Sequence, residues 1–264
     1  MRTTPQYAVF EYTPKKRAYC VCVFVLNEGK RIAAQLRKMK SLSDEVDIIV
    51  ADGGSSDGVL AEDFLRSSAV RTLLVKQGGG KLGAQMRMAF DYALSQGYKG
   101  VITIDGNNKD DPRAIPKFIE ALESGYAHLQ GSRYIPGGVE KNTPRGRYYA
   151  VKLIHAPLIR LSSGFPYTDT TNGFRAYSRE LLLDPRIALF REVFEGYELH
   201  YYLAIRSAKL GYTIKEIPVS RKYPSKGGTP TKISFFRGNL RVLGCLFSAC
   251  LHRYDPIALE DKTQ

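Results

Sequence analysis

Short apolar runs alternate with amphipathic stretches over the first half of the chain. Five runs rich in Val, Ile, Leu and Phe are continuous enough for strands buried on both faces. The predicted strands are Tyr19–Leu26, Asp47–Ala51, Arg71–Lys76, Gly100–Ile104 and Ala127–Gln130. Between them, apolar residues recur at helical spacing over 30–40, Val59–Arg66, Leu82–Leu94 and Pro112–Leu122. This order predicts an α/β fold with a mostly parallel central sheet, right-handed crossovers and flanking helices.

The second half of the chain has a less regular pattern. Its predicted elements are a basic helix over Arg147–Leu161, strands over Phe174–Tyr177 and Thr213–Ser220, a helix over Tyr197–Lys209, a loop over Ser225–Pro230 and an amphipathic helix over Ile233–Leu251. We therefore expect three segments: a basic N-terminal arm (1–17), an α/β domain (18–225) and a C-terminal extension of loop and amphipathic helix (226–264).

Polar clusters follow three of the predicted strands, at Asn27-Glu28, Asp52–Asp57 and Asp105–Asp111. Because ligands bind at the carboxyl ends of parallel strands, these clusters predict a binding site there. The oxygen atoms of Asp105, Asn107, Asp110 and Asp111 suit Mg²⁺ or Mn²⁺, which would neutralise a departing diphosphate. A glycine-rich turn ending at Lys81 lacks the P-loop pattern, and is either a phosphate contact or a flexible loop.

The charge is concentrated in the second half. The formal net charge is +13, made up of +3 in residues 1–17, zero in 18–132 and +10 in 133–264. This excess indicates an anionic partner, whether nucleic acid, an anionic membrane surface or a phosphorylated substrate. No apolar run reaches the roughly 18 residues of a membrane span, no secretory signal is evident, and four cysteines are too few for a disulfide scaffold. We expect a cytoplasmic protein.

Eight motifs then occur in one order. They are Val25-Leu26-Asn27-Glu28, Ile49–Gly58, Gly80–Ala84, Ile104–Pro112, Gly131–Tyr134, Asp169–Arg175, Gly196-Tyr197 through Gly211-Tyr212, and Glu216–Val219. In this the chain resembles the inverting family 2 glycosyltransferases of GT-A fold, most closely the dolichyl- and polyprenyl-phosphate sugar synthases, over residues 18–225. The resemblance implies transfer of a sugar from a UDP- or GDP-linked donor, with inversion at the anomeric carbon.

The resemblance also implies roles for individual residues. The donor-binding set is Asn27, Glu28, Asp52, Lys81, Asp105 and Arg133, and the metal ligands are Asp105 and Asn107. The acceptor-binding set is Arg145, Arg147, Arg175 and Arg221. The catalytic set is Asp105, Asp169 and Glu198. A hydroxyl acceptor needs a general base, for which Asp169 and Glu198 are the candidates, whereas a phosphate anion needs none.

Two departures from the family pattern bear on this interpretation. Asn107 stands where the family's Asp-x-Asp motif has its second acid, and Tyr202 stands where a Glu usually follows the Gly-Tyr pair by five positions. Several acceptors remain open. They are a polyprenyl phosphate met peripherally at the inner membrane face, a modified base in DNA, and another glycan or small molecule. A nucleotide-sugar-binding protein without transfer activity is the non-enzymatic alternative.

Overall fold

The computed structural model describes residues 2–225 and 237–256. The strands are β1 (Tyr7–Glu11), β2 (Tyr19–Val25), β3 (Asp47–Asp52), β4 (Val70–Lys76), β5 (Gly100–Asp105), β6 (His128–Ser132), β7 (Val139–Lys141), β8 (Arg175–Ser178), β9 (Ile214–Pro218) and β10 (Ser220–Lys222). The helices are α1 (Lys30–Met39), α2 (Glu62–Ser67), α3 (Leu82–Ser95), α4 (Ile115–Glu123), α5 (Arg145–Ala150), α6 (Ala156–Ser163), α7 (Arg179–Leu183), α8 (Glu198–Lys209) and α9 (Arg237–Cys250). A π-helical segment, Val151–His155, joins α5 to α6.

The main sheet has the order β1-β4-β3-β2-β5-β8-β6-β9. Neighbours from β4 to β5 are parallel, while β1 and β8 run antiparallel to the strands beside them. A second, two-stranded sheet pairs β7 with β10 in parallel. The predicted mostly parallel sheet is therefore confirmed, with β2 at its centre.

Side chains of each central strand divide between two apolar cores. In β2, Val21 and Val23 face the core formed with α1, α2 and α4, whereas Cys20 and Cys22 face the core formed with α3, α7 and α8. This alternation follows from the two-residue period of a strand, and it explains why β2 is apolar throughout. Cys20 and Cys22 are buried free thiols.

The structure changes the predicted boundaries in several places. The predicted basic arm contains β1, which pairs with β4 at the edge of the main sheet, so residues 7–11 belong to the α/β fold. The predicted strand Thr213–Ser220 divides into β9 and β10, and the sequence pattern missed β7 and α7. Of the predicted C-terminal segment, residues 226–236 and 257–264 lie outside the described residues.

Helix α9 packs on α8 and α6 through the buried residues Cys245, Leu246 and Ala249. Its other side leaves Leu240, Phe247 and Leu251 exposed. Within residues 2–225 and 237–256, every helix is too short or too polar to cross a bilayer.

Candidate active site

Two aspartates end the strands on either side of β2. In the sheet register, Asp52 of β3 lies opposite Val25 and Asp105 of β5 lies opposite Phe24. The loops that follow are held to the end of β2, because Gly53 and Gly106 donate main-chain hydrogen bonds to the carbonyls of Val25 and Phe24. The sheet thus brings the predicted donor loops and the predicted metal ligands to one edge.

The loops that follow β2 and β3 are held together by hydrogen bonds from their own side chains. The Asp52 carboxylate is buried and accepts hydrogen bonds from the amides of Gly54 and Ser55 and from the Ser55 hydroxyl. The main-chain N–H of Asn27 donates to Ser55 Oγ at 2.8 Å, and the side-chain Oδ1 of Asn27 accepts from the main-chain N–H of Ser56 at 2.8 Å. Asp52 therefore shapes the turn beside Asn27.

Glu28 lies in the same loop and forms an ion pair of 2.9 Å with Arg31 in the first turn of α1. Its carboxylate is thereby held at the rim of the edge that carries Asn27 and Asp52.

The glycine-rich turn before α3 does not leave the helix N-terminus open to a phosphate. The amides of Lys81, Gly83 and Ala84 all lie within hydrogen-bond distance of the Glu195 carbonyl, at 2.8, 3.1 and 3.4 Å. A methyl group on Gly83 would lie 2.6 Å from the Phe194 carbonyl, so this approach requires glycine. The Lys81 side chain is exposed. These three main-chain amides are therefore engaged within the protein and do not face a phosphate.

Asp105 sits in a buried charge network with Arg221. Arg221 Nη2 donates to Asp105 Oδ2 at 3.2 Å, and Arg221 Nη1 makes a short hydrogen bond to Asp110 Oδ2. The Asp110 side chain is fully buried, whereas about a quarter of the Asp105 side chain (27%) is exposed. Arg221 therefore lies behind Asp105, and its predicted direct contact with the acceptor would require it to leave both carboxylates.

Charges in this network set the ionisation of both acids. Burial opposes ionisation of Asp105, but the charge and hydrogen bond of Arg221, together with the charge of Lys109, outweigh it and lower the pKa of Asp105. Desolvation dominates for Asp110 and raises its pKa to about 6. Both carboxylates are consequently ionised at neutral pH.

The donor set at Asp105 suits a hard divalent cation of modest affinity. Asn107 Nδ2 donates to Asp105 Oδ2 at 3.2 Å, so the two predicted ligands are adjacent. A methyl group on Gly173 would lie 2.9 Å from Asp105 Oδ1, so glycine keeps that oxygen clear. In the described part of the chain, no three His, Cys, Asp or Glu side chains cluster as a metal cage. Mg²⁺ is commonly held by one or two protein oxygens together with substrate phosphates, and these residues fit that pattern.

Arg133 and Asp169 form a buried ion pair. Arg133 Nε and Nη2 reach the two Asp169 oxygens at 2.6 and 2.9 Å, and both side chains are almost fully buried. The Glu216 carboxylate holds the loop before them by accepting the amides of Thr168 and Asp169. A donor contact by Arg133 or a base role for Asp169 would require this pair to open.

Arg175 has a different role from the predicted one. Its guanidinium is buried and donates to the main-chain carbonyls of Asn172, Thr170 and His200 at 2.9, 2.8 and 2.6 Å. These bonds fix the loop that presents Gly173 to Asp105. The prediction of an acceptor contact is therefore corrected to one of loop support.

Basic side chains surround the buried ring of Tyr223. The Lys109 ammonium lies 5.2 Å from the ring centroid, and the guanidinium carbons of Arg221 and Arg147 lie at 5.7 and 5.8 Å. Burial opposes ionisation of the phenol, yet the charges of Arg221, Arg147 and Arg133 lower the pKa of Tyr223. Positive potential is therefore concentrated beside Asp105, with Arg145 exposed at the start of α5.

Glu198 begins α8 and is mostly buried. Its Oε2 accepts the Gly196 amide at 2.5 Å, and its Oε1 accepts a hydrogen bond from the Cys245 thiol of α9 at 3.3 Å. Both oxygens are thus engaged within the protein.

Sequence reasoning missed Tyr223 as part of this site, and it placed Asp110 among the oxygen ligands for a cation, whereas the structure pairs Asp110 with Arg221. The sequence did carry a signal for Tyr223, because the basic residues Arg221 and Lys222 directly precede it.

Comparison with known proteins agrees with this geometry. Residues 20–184 match the sequence profile described as "Glycosyl transferase family 2". Polyprenol monophosphomannose synthase of Mycolicibacterium smegmatis is 28% identical over 203 residues, 76% of each protein. Undecaprenyl-phosphate mannosyltransferase of Micrococcus luteus is 29% identical over 74% of this chain and 79% of its own. Dolichyl-phosphate hexose transferase of Haloferax volcanii is 28% identical over 85% of this chain and 90% of its own.

Solved structures share the fold. Glucosyl-3-phosphoglycerate synthase from Mycobacterium tuberculosis, in complex with Mn²⁺, UDP and phosphoglyceric acid, superposes with a TM-score of 0.62 at 18% identity, over 91% of this chain and 80% of its own. A complex of the same enzyme with Mg²⁺ and UDP gives 0.62 at 19% identity, over 97% and 88%. The predicted GT-A fold is thereby confirmed.

Proposed function

The chain belongs to glycosyl transferase family 2, and from this premise we propose that it moves a sugar from a nucleotide-diphosphate donor to the phosphate of a polyprenyl phosphate. That it is a glycosyltransferase follows from the family. The acceptor class is supported by the relatives named as polyprenol, undecaprenyl-phosphate and dolichyl-phosphate transferases.

The observation that carries this proposal is the asymmetry of charge around Asp105. On one side lie the loops of Asn27 and Asp52, in a half of the chain with no net charge. On the other side lie the cations around Tyr223, of which Arg147 and Arg221 belong to the segment with a net charge of +10 and Lys109 to the neutral one. A metal-bound donor brings its own counter-charge, so the surplus cations serve a second anion. In this proposal Arg147 and Arg145 bind the acceptor phosphate.

The donor lies over the ends of β2 and β3. Asn27 and Glu28 contact the ribose and base, the Asp52 turn receives the base, and Lys81 approaches the phosphates. A uridine nucleotide is the first to test, because the fold neighbours were solved with UDP.

Asp105 and Asn107 would hold Mg²⁺ or Mn²⁺ against the donor diphosphate. The cation would supply positive charge to the leaving nucleotide diphosphate. Asp105 supplies the anionic ligand, and Arg221 fixes the orientation of that carboxylate from behind.

The reaction requires little acid–base chemistry from the protein. An oxygen of the acceptor phosphate forms a bond to the anomeric carbon, and the bond from that carbon to the nucleotide diphosphate breaks on the opposite face, so the configuration inverts. A phosphate anion carries no proton that must be removed. Catalysis then rests on positioning the two substrates and on stabilising the leaving diphosphate.

A polyprenyl acceptor places the enzyme at a membrane surface, on the cytoplasmic face. The exposed apolar side chains on α5, α6, α9 and their flanks include Tyr149, Leu153, Ile154, Leu161, Leu240, Phe247 and Leu251. Exposed basic residues on the same helices include Arg145, Arg160 and Arg241. Apolar side chains rimmed by basic ones are typical of peripheral contact with anionic lipid.

One experiment tests the function in two stages. Thermal shift with Mn²⁺ and a panel of UDP- and GDP-sugars identifies the donor, and that donor is then labelled and incubated with a short polyprenyl phosphate. We expect label in the organic phase and flotation of the protein with anionic vesicles. Donor binding with transfer to DNA, or with no transfer to any acceptor, would overturn the proposed acceptor.

A further inference from the structure

One peptide unit, Glu195–Gly196, makes hydrogen bonds from both of its sides. Its carbonyl accepts the amides of Lys81, Gly83 and Ala84 at the start of α3, and its N–H donates to the Glu198 carboxylate at 2.5 Å. A trans peptide is planar with C=O and N–H pointing in opposite directions. Whatever fixes the direction of the N–H therefore also fixes the direction of the carbonyl.

We propose that Glu198 is a positioning residue that locks the Glu195–Gly196 peptide, and thereby holds α3 in place for donor binding. Its carboxylate is buried, and among the described residues its two oxygens accept from the Gly196 amide on one side and the Cys245 thiol on the other. This gives Glu198 a role other than the predicted one of general base. The inference rests on the proposed function only for its effect on the donor.

Helix α3 transmits the position of this peptide to the donor loops. Four residues after Lys81, the side-chain amide of Gln85 donates to the main-chain carbonyls of Val25 and Ala51 at 2.9 and 2.5 Å. Val25 and Ala51 lie at the carboxyl ends of β2 and β3, where the loops of Asn27 and Asp52 begin. A rotated Glu195–Gly196 peptide would leave the first amides of α3 without their acceptor. It would thereby loosen the hydrogen bonds of Gln85 to the ends of β2 and β3.

The same lock extends to the C-terminal helix. The Cys245 thiol is a donor from α9, and burial together with the Glu198 charge raises the pKa of Cys245 to about 11, so the thiol keeps its proton at neutral pH. The position of α9 is thus connected to the donor side through a single side chain.

Amide hydrogen exchange tests the lock without any reference to activity. In Glu198→Ala, exchange at Lys81, Gly83 and Ala84 should be at least about tenfold faster than in the wild type. In Glu198→Gln, whose amide oxygen still accepts from Gly196, exchange should stay near the wild-type rate. Glu120→Ala, which removes an exposed carboxylate from α4, is the matched control and should change nothing. Unchanged exchange in Glu198→Ala overturns the proposal.

Kinetics with the donor then separate positioning from base catalysis. We expect Glu198→Ala to raise the donor KM about tenfold with kcat within about threefold, and Glu198→Gln to restore KM. A loss of kcat of about a hundredfold in Glu198→Gln, with normal exchange, would identify Glu198 as a base and overturn the positioning role. If Glu198→Ala does not fold, the Gln variant still decides between the two. Absence of any donor binding in the wild type would count against the proposed function. The exchange experiment tests only the position of the Glu195–Gly196 peptide and does not depend on that function.

Discussion

The guanidinium of Arg221 donates a hydrogen bond of 3.2 Å to Asp105, so the proposed metal ligand is also one half of an ion pair. The same guanidinium holds the fully buried carboxylate of Asp110. Arg221 thus does two things: it compensates a carboxylate that solvent cannot reach, and it orients one that solvent and substrate can reach.

Removing Arg221 should cost much of the stability of the fold. In Arg221→Met the Asp110 charge is left buried and unpaired, which typically costs about 3–5 kcal/mol. Adding Asp110→Asn removes that charge, so the double variant should be more stable than Arg221→Met alone. Urea unfolding of both single variants and the double variant measures this coupling. Arg66→Met, which breaks the exposed pair with Glu62, should have a much smaller effect. Simple additivity of the two substitutions at 221 and 110 would contradict the expectation.

Restoring the missing acid should strengthen metal binding. Asn107→Asp adds a second anionic oxygen beside Asp105, and we expect Mn²⁺ in the presence of UDP to bind about tenfold more tightly, a gain of about 1.4 kcal/mol. Asp105→Asn should weaken Mn²⁺ binding by at least a similar factor. Calorimetric titration with Mn²⁺ gives both values. Asp111→Asn serves as the control, because Asp111 pairs with Arg113 on the exposed side of the same loop. Equal Mn²⁺ affinity in all four proteins would exclude this cation site.

Asp169 should prove to be structural. Asp169→Asn removes one charge of a pair that is almost completely buried, and we expect a loss of about 3–5 kcal/mol in the free energy of unfolding. Glu62→Gln, which removes one charge of an exposed pair, should change stability far less. Thermal unfolding of the two variants gives the comparison. A fully stable Asp169→Asn protein whose kcat has collapsed would restore the base role that the sequence predicted.

Acid should weaken the fold through a buried histidine. Burial, followed by the charge of Arg147, lowers the pKa of His155 to about 4, and its ring lies 3.2 Å from the Tyr201 hydroxyl. Between its usual pKa near 6.5 and about 4, the unfolded chain binds a proton that the folded chain does not. Stability is therefore complete above pH 6.5 and falls as the pH drops towards 4, by about 3 kcal/mol from this group.

Urea unfolding at several pH values tests this loss, and His155→Gln should flatten the slope by about one proton. His128 and His200 are shifted in the same direction and contribute to the slope that remains. An unchanged slope in His155→Gln would show that His155 is protonated in the fold.

Local features of the sequence were enough to predict the central strands of the main sheet and the acidic residues at its edge. The β2 strand was predicted to within one residue, because a strand buried on both faces is apolar throughout. Asp52 and Asp105 were placed at strand ends because each directly follows such a run. By contrast, β1 is mostly exposed and pairs with β4 at the sheet edge, and its apolar run Tyr7–Phe10 is short and lies within a basic segment, so it was not recognised as a strand.

The partner of each buried charged residue could not be predicted from local features of the sequence. Arg133 and Asp169 are 36 positions apart, and Arg221 and Asp105 are 116 apart. Whether an arginine faces a substrate or a carboxylate behind the site depends on how distant loops pack. The resemblance located Arg175 in a functional motif, but only the structure showed that its donors are occupied by main-chain carbonyls.

The acceptor that caps α3 is a main-chain carbonyl, and this has a consequence for how the region tolerates change. Any residue at position 195 supplies the same oxygen, so substitution scanning there should find a permissive site. The spacing between Phe194 and Glu198 is what the contact depends on, since it sets where that oxygen falls. Insertion or deletion of one residue in this turn should therefore be far more damaging than any substitution at 195. Drift in the side chain at 195 would leave the contact intact, whereas a change in loop length would erase it.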